Sequence, residues 1–325
     1  MAATVIITGA ALAPPAMALA EERGARVVTV RPYMPPAELA VLVAAERADA
    51  IIVRQAAITD AVLGAAPGLK VVVKHGIGVD TIDLVAASRR RIPVLITHGA
   101  NAESVAEHAL GLMFAVARRT ALLDARMRAG HWDKATSFGI ELSGRTLGIV
   151  GLGSIGRILA ALVRPLRMKV IGFDPYLSDV VDGVAMTADL DDLLARSDVV
   201  SLHAPLSAAS RNLIDARRLA LMRAGAILVN TARGGLIDHE ALAAALAAGR
   251  LAGAGIDCFP VEPPPSGHPL ADAPNVVMTP HVGANTREAA DRVGVIAMQQ
   301  ALDTVAGRPF DPRANVNPDH AAAAA

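Results

Sequence analysis

Short apolar runs rich in β-branched residues recur along the chain, each followed by a longer segment with helical spacing. Residues 4–8, 27–30, 50–53, 71–73 and 94–96 form a first series of such runs, and residues 147–150, 170–173, 199–202, 226–229, 254–256 and 276–278 a second. Continuous rather than alternating apolar character is the mark of strands buried on both faces of a parallel sheet. The segments between them, such as residues 155–166 and 239–248, have the length and composition of helices. Strand and helix in alternation predict an α/β fold with right-handed crossovers. Two series predict two open sheets. Residues 101–128 separate the series and read as one long helix, with Val105, Ala109, Leu112, Met113 and Val116 on an apolar stripe. Residues 287–305 form another long helix. The tail from Pro309 carries several prolines and ends in five alanines, to which no structure or role is assigned.

A length of 325 residues, 53% hydrophobic and 19% charged, suffices for two buried cores and excludes a disordered chain. Lys plus Arg equals Asp plus Glu at 31 each, and aromatics are only 2%, so neither charge nor base stacking favours nucleic acid or an anionic membrane. Near the N-terminus, Met17-Ala18-Leu19-Ala20 resembles the end of a signal peptide. No Lys or Arg precedes Arg23, however, and Pro14-Pro15 interrupts the apolar stretch, so a first β-α unit is expected, with its helix starting at Pro15. No uninterrupted apolar run is long enough to span a bilayer. Cys258 is the single cysteine, which excludes a disulfide framework and a thiolate zinc cluster and fits a reducing cytoplasm.

Gly151-Leu152-Gly153-Ser154-Ile155-Gly156 is a G-x-G-x-x-G that follows an apolar strand and opens an amphipathic helix. That context makes it a dinucleotide fingerprint. The first glycine allows the tight turn and the second admits the pyrophosphate. The third lets helix and strand pack closely, with the helix N-terminus toward the phosphates. The next strand ends at Asp174, 18 residues beyond Gly156. A carboxylate there accepts from ribose hydroxyls and repels a 2′-phosphate, which favours NAD over NADP.

The motifs around the fingerprint resemble those of the D-isomer-specific 2-hydroxyacid dehydrogenase family, which includes phosphoglycerate dehydrogenases, glyoxylate/hydroxypyruvate reductases and D-lactate dehydrogenases. Gly130-His131-Trp132 and Glu141-Leu142-Ser143-Gly144-Arg145-Thr146 precede it. Leu202-His203-Ala204-Pro205-Leu206, Leu228-Val229-Asn230-Thr231-Ala232-Arg233-Gly234-Gly235, Gly255-Ile256-Asp257-Cys258-Phe259, Glu262-Pro263-Pro264 and Thr279-Pro280-His281-Val282-Gly283-Ala284 follow in the family order. The resemblance implies that Arg233 grips the substrate carboxylate, a task suited to a permanently charged planar fork. It makes His281 the acid/base and Glu262 the carboxylate that orients His281 and raises its pKa. Gly151, Gly153, Ser154, Ile155, Gly156 and Asp174 are expected to bind the cofactor. So are His203 and Pro205 beside the adenosine, Thr231 and Ala232 in the cofactor site, Asp257 near the carboxamide, and Gly283. Lys74, His75, Gly76 and Ile77 match the loop whose backbone N–H groups meet the substrate carboxylate, together with Arg233.

The family fold implied is α/β, with two Rossmann-like doubly wound parallel-sheet domains and an interdomain cleft. Residues 1–98 and 286–325 would form a discontinuous substrate domain and residues 99–285 the NAD domain, through which family members usually form homodimers. The implied activity is NAD-dependent hydride transfer between nicotinamide and a small D-2-hydroxy acid or 2-keto acid. An NAD(H)-sensing protein like the corepressors that resemble this family is the alternative. Formate dehydrogenases typically carry glutamine where Glu262 stands, which argues against that branch; phosphite oxidation is a lesser possibility. At this length the regulatory domains of longer phosphoglycerate enzymes are not expected. Lys74 stands where some of those enzymes have arginine, and either serves an anionic group or caps a loop. Cys258 reads as core filler and Trp132 as a packing residue. His98 and His108 flank the long helix without metal-ligand company, and no metal is expected.

Overall fold

Every strand pairing is parallel, as the β-branched runs require. The computed structural model describes residues 2–177 and 179–321. The chain divides into two units, one running up to Asn101 and resuming at Thr286, the other spanning Ala102–Asn285. In the first, β1 (Thr4–Thr8), β2 (Arg26–Val30), β3 (Ala50–Val53), β4 (Val71–Lys74) and β5 (Val94–Ile96) lie in the order β2-β1-β3-β4-β5. They are linked by α1 (Pro14–Glu22), α2 (Pro36–Ala45), α3 (Asp60–Gly64) and α4 (Leu84–Arg89). Successive side chains of a strand point to opposite faces, so Val5 and Ile7 enter one core and Ile6 the other. The signal-like stretch at Met17 lies inside α1, where Ala16 and Ala20 are buried.

The second unit begins with α5 (Ala102–Ala117) and α6 (Thr120–Arg128). One continuous helix over residues 101–128 is therefore not what forms. The Ala117 carbonyl accepts from the Ile140 N–H at 2.8 Å, which takes the place of the next helical bond, and Arg119 turns left-handed with φ 53°. Packing explains the break. The stripe of α5 is buried with Leu112 against Gly255 and Val116 against Gly253, whereas α6 buries no residue at all. Trp132, expected to pack, is 72% exposed for the same reason: no core extends beneath the segment that carries it.

The rest of this unit is β6 (Thr146–Val150), α7 (Ser154–Val163), β7 (Lys169–Phe173), β8 (Ala185–Met186), α8 (Leu190–Arg196), β9 (Val199–Leu202), α9 (Ala216–Leu221), β10 (Ala226–Asn230), α10 (His239–Ala247), β11 (Leu251–Ile256) and β12 (Val276–Met278). Its sheet order is β12-β11-β10-β9-β6-β7-β8. The order reverses between β6 and β9, the position at which doubly wound sheets bind ligands beyond the strand ends. The chain then returns to the first unit as α11 (Arg287–Val305), capped by the Thr286 hydroxyl accepting from the Ala289 N–H at 3.1 Å. Ala297, Met298, Ala301 and Leu302 join the core that holds Val5 and Ile7. Past α11, Asn317 accepts from the Val94 N–H (2.7 Å) and donates to the Ile92 carbonyl (2.9 Å), which ties the tail to β5. The alanine run beyond Ala321 lies outside the described residues. Among those described, no helix is long and apolar enough to cross a membrane.

Candidate active site

The fingerprint loop begins where β6 ends, at the reversal of sheet order. The Gly151 N–H donates to the Phe173 carbonyl at 2.9 Å, which closes the turn against β7. A Cβ on Gly156 would stand 2.2 Å from the Gly151 carbonyl oxygen, so no larger residue fits where helix meets strand. At Gly153 a Cβ would meet nothing within 4 Å, and no side chain caps this end of α7. Ser154 and Ile155 open that helix, whose first backbone N–H groups have no acceptor within the helix, which suits a diphosphate. Asp174 accepts from the Leu152 and Tyr176 N–H groups at 2.9 and 3.0 Å, so its carboxylate is held beside the loop.

Two buried polar atoms at the ends of neighbouring strands have no hydrogen-bond partner, His203 Nδ1 and Thr231 Oγ1. Such orphans cost stability unless a ligand or water satisfies them. Burial pushes the His203 imidazole down to about 4, so the ring is neutral, and its Nε2 pairs with the Ser201 hydroxyl at 2.9 Å. Open space at Gly153 and these orphans fit a bound dinucleotide. Pro205 is exposed and Ala232 half-buried on the same edge.

Asn230 shapes the next turn. Its side chain accepts from the Ala232 N–H (3.0 Å) and donates to the Arg233 carbonyl (2.8 Å), while an Arg233 guanidinium N–H donates to the Ala232 carbonyl at 2.6 Å. A Cβ on Gly234 would fall 2.0 Å from the Phe259 carbonyl carbon, so only glycine lets the Arg233 turn abut the loop leading to Glu262. In that loop the Phe259 N–H donates to Glu262 Oε1 at 3.0 Å. His281 Nδ1 lies 3.0 and 2.8 Å from the two Glu262 oxygens. An ionised carboxylate can only accept, so Nδ1 carries a proton and Nε2 is the nitrogen left for chemistry. The pair is open to solvent, at 45% and 39% side-chain exposure. The Cys258 sulfur and then the Glu262 carboxylate push His281 up to about 10, against the effect of burial. Burial opposes ionisation of Glu262, yet hydrogen bonds from His281 and the Phe259 N–H outweigh it and lower its pKa.

His281 has a left-handed backbone, φ 53°, a conformation that non-glycine residues adopt at a cost and that the surroundings must impose. Asp257 imposes it. Its buried carboxylate accepts from the Thr279 hydroxyl (2.5 Å) and from the Val282 and Gly283 N–H groups (both 2.9 Å), on either side of His281. His108 Nε2 in turn meets the Thr279 hydroxyl at 3.0 Å. Burial works against the Asp257 charge, but these donors, His108 first, hold it down to about 2. Asp257 and Gly283, expected at the cofactor, also clamp the His281 turn.

In the first unit, the His75 N–H donates to the Val53 carbonyl and the Gly76 N–H to the Thr97 hydroxyl, both at 3.0 Å. Lys74 Nζ donates to the Arg54 carbonyl at 3.0 Å. Burial and then the Arg54 and Lys74 charges lower His75 to about 4. Ile77 is 36% exposed.

Sequence reasoning brought together Arg233, Glu262 and His281 and missed Asn230, His108 and Thr279. His108 had a signal: it stands three residues after Val105 and four before Leu112, on the buried stripe of α5. Cys258 is buried as core filler should be, yet its sulfur lies beside Glu262 and His281, which no linear spacing announces.

Residues 110–283 match the family described as D-isomer specific 2-hydroxyacid dehydrogenase, NAD binding domain. The chain is 41% identical over 294 residues to a D-3-phosphoglycerate dehydrogenase of Mycobacterium leprae, which covers 89% of this chain and 55% of that protein. It therefore spans little more than half the length of that relative. It is 43% identical over 250 residues to a hydroxypyruvate reductase of Thermotoga maritima, covering 76% of this chain and 81% of the relative. A crystallised protein from Thermus thermophilus superimposes with a TM-score of 0.88 at 38% identity, covering 96% of this chain and 99% of the other.

Proposed function

The chain belongs to the D-isomer-specific 2-hydroxyacid dehydrogenase family, and from that premise we propose that it reduces a small 2-keto acid to the D-2-hydroxy acid and catalyses the reverse. The observation that carries this reading is the His281–Glu262 pair, 2.8 Å apart, on a turn clamped by Asp257. NAD, when bound, supplies or accepts the hydride. In reduction His281 Nε2 donates a proton to the carbonyl oxygen; in oxidation neutral Nε2 takes the proton from the hydroxyl. Glu262 holds the ring in the tautomer that leaves Nε2 outermost and stabilises the imidazolium. Arg233 binds the carboxylate and draws charge from the carbonyl, as a fixed cation does where negative charge develops.

Turnover of NADH with a panel of phosphorylated and unphosphorylated 2-keto acids tests this. His281→Ala is expected to lower the rate about 10²–10⁴-fold, the usual worth of a positioned acid/base, with NADH binding retained. Cofactor binding without turnover of any keto acid would favour the sensor instead.

The reading includes a homodimer joined through the second unit, in a cytoplasmic setting. Supporting it, Phe114, Leu122, Met127, Trp132 and Phe138 are all exposed within one stretch of chain, three of them among the eight aromatic residues of the whole protein. Exposed apolar residues so concentrated mark an association surface.

A further inference from the structure

Cys258 Sγ, a carboxylate oxygen of Glu262 and a ring nitrogen of His281 all lie within 4.8 Å of one another. We propose that these three side chains form a binding site for a thiophilic divalent cation, zinc foremost, and that its occupation disables the acid/base. A tetrahedral zinc with bonds of about 2.3 Å to sulfur and about 2.0–2.2 Å to nitrogen and oxygen holds its donors roughly 3–4 Å apart. The present atoms lie within 4.8 Å of one another, about 1 Å beyond that spacing at most. One soft sulfur, one imidazole and one carboxylate suit zinc, cobalt or cadmium, whereas magnesium and calcium require shells of oxygen.

One of the donors is already oriented: the Phe259 N–H holds Glu262 Oε1 at 3.0 Å. The Cys258 thiol donates to the Ala232 carbonyl at 3.5 Å, a contact that metal binding must break. Charge balances as well. In the bound form one thiolate and one carboxylate meet the two positive charges of the metal, with the imidazole neutral. Arg233, whose charge acts on Glu262, opposes a cation, and the thiolate offsets it. Without sulfur the remaining pair is an ordinary His–acid contact. Three protein donors leave a fourth position open, but with a metal on either nitrogen the His281 ring cannot reach the imidazolium form, so it no longer cycles a proton.

Cobalt gives the direct test, because a sulfur-to-cobalt charge-transfer band in this protein can arise only from Cys258, its single thiol. Titrating the full chain with Co²⁺ is expected to produce that band at one equivalent, and Cys258→Val to abolish it. A wild-type protein that binds cobalt without the band would overturn the site. In turnover, Zn²⁺ should inhibit and Mg²⁺ should not. Cys258→Val and Cys258→Ala should each raise the half-inhibiting zinc concentration about tenfold or more, at least the loss seen when a ligand's support is removed. Equal zinc sensitivity in both variants would also sink the proposal. The inhibition rests on the acid/base reading of His281 and the cobalt band does not. A band with undiminished turnover would keep the metal site and overturn both its disabling effect and that reading.

Discussion

At the scale of residues, the Glu262–His281 pair decides the pH at which each direction runs. His281 holds its proton up to about 10 in the free protein. Reduction, which needs that proton, should fall off only as pH rises through this range, and oxidation should rise there. Glu262→Gln keeps the shape and removes the charge, so both limbs should move to lower pH together, because one proton governs both. Profiles of kcat/KM in the two directions check this; limbs that stay put or separate would make Glu262 a loop acid. Stability follows the same signs. The raised His281 pKa stabilises the fold fully below its ordinary 6.5, a contribution lost as pH rises through about 10. The lowered Asp257 pKa stabilises it above 3.8, a contribution lost as pH falls through about 2. Asp257→Asn would turn an amide donor toward backbone donors. It should cost about 1–3 kcal/mol in thermal or urea unfolding, the penalty of unmet buried groups, and lower kcat as the His281 turn loosens. Asp174→Ala should narrow the preference for NADH over NADPH, measured as the ratio of kcat/KM values; a wild-type preference for NADPH would refute the role given to Asp174. Arg233, Glu262 and His281 were legible because their motifs carry them in a characteristic order. Cys258 and His108 were not. Cys258 meets a turn that follows β12, and His108 reaches that same turn from a helix that precedes every strand of its unit.

Elements show where periodicity stops being informative. The stripe of α5 was visible in Val105, Ala109 and Leu112, but the end of that helix was not. Residues 120–128 keep helical composition after the core beneath them has ended, and a bond from Ile140 decides the break. The fingerprint, in contrast, was legible down to single glycines, because Gly151 and Gly156 each answer a local steric demand. Gly156→Ala should cost about 1–3 kcal/mol by overpacking, and calorimetry should record it together with weakened NADH binding; an unchanged melting temperature would mean that α7 shifts freely. Replacing Met127 and Trp132 with glutamate should convert the proposed dimer to a monomer in light scattering, with NADH binding intact. A wild-type monomer would remove this surface from consideration.

Across the whole molecule, two sheets were legible in two series of apolar runs, since parallel strands buried on both faces need little context to be read. Which sheet α11 covers was not written in its own periodicity. It is decided by Ala297, Met298, Ala301 and Leu302 meeting Val5 and Ile7, residues nearly the full chain apart. That return has a temporal consequence. A ribosome delivers the second unit complete before α11 exists, whereas the first unit, begun earlier, must wait with one face of its sheet covered by α1 alone and the β5 edge without Asn317. The part made first is thus finished last. A chain ending at residue 285 should bind NADH and resist protease across residues 102–285 while residues 2–101 are digested.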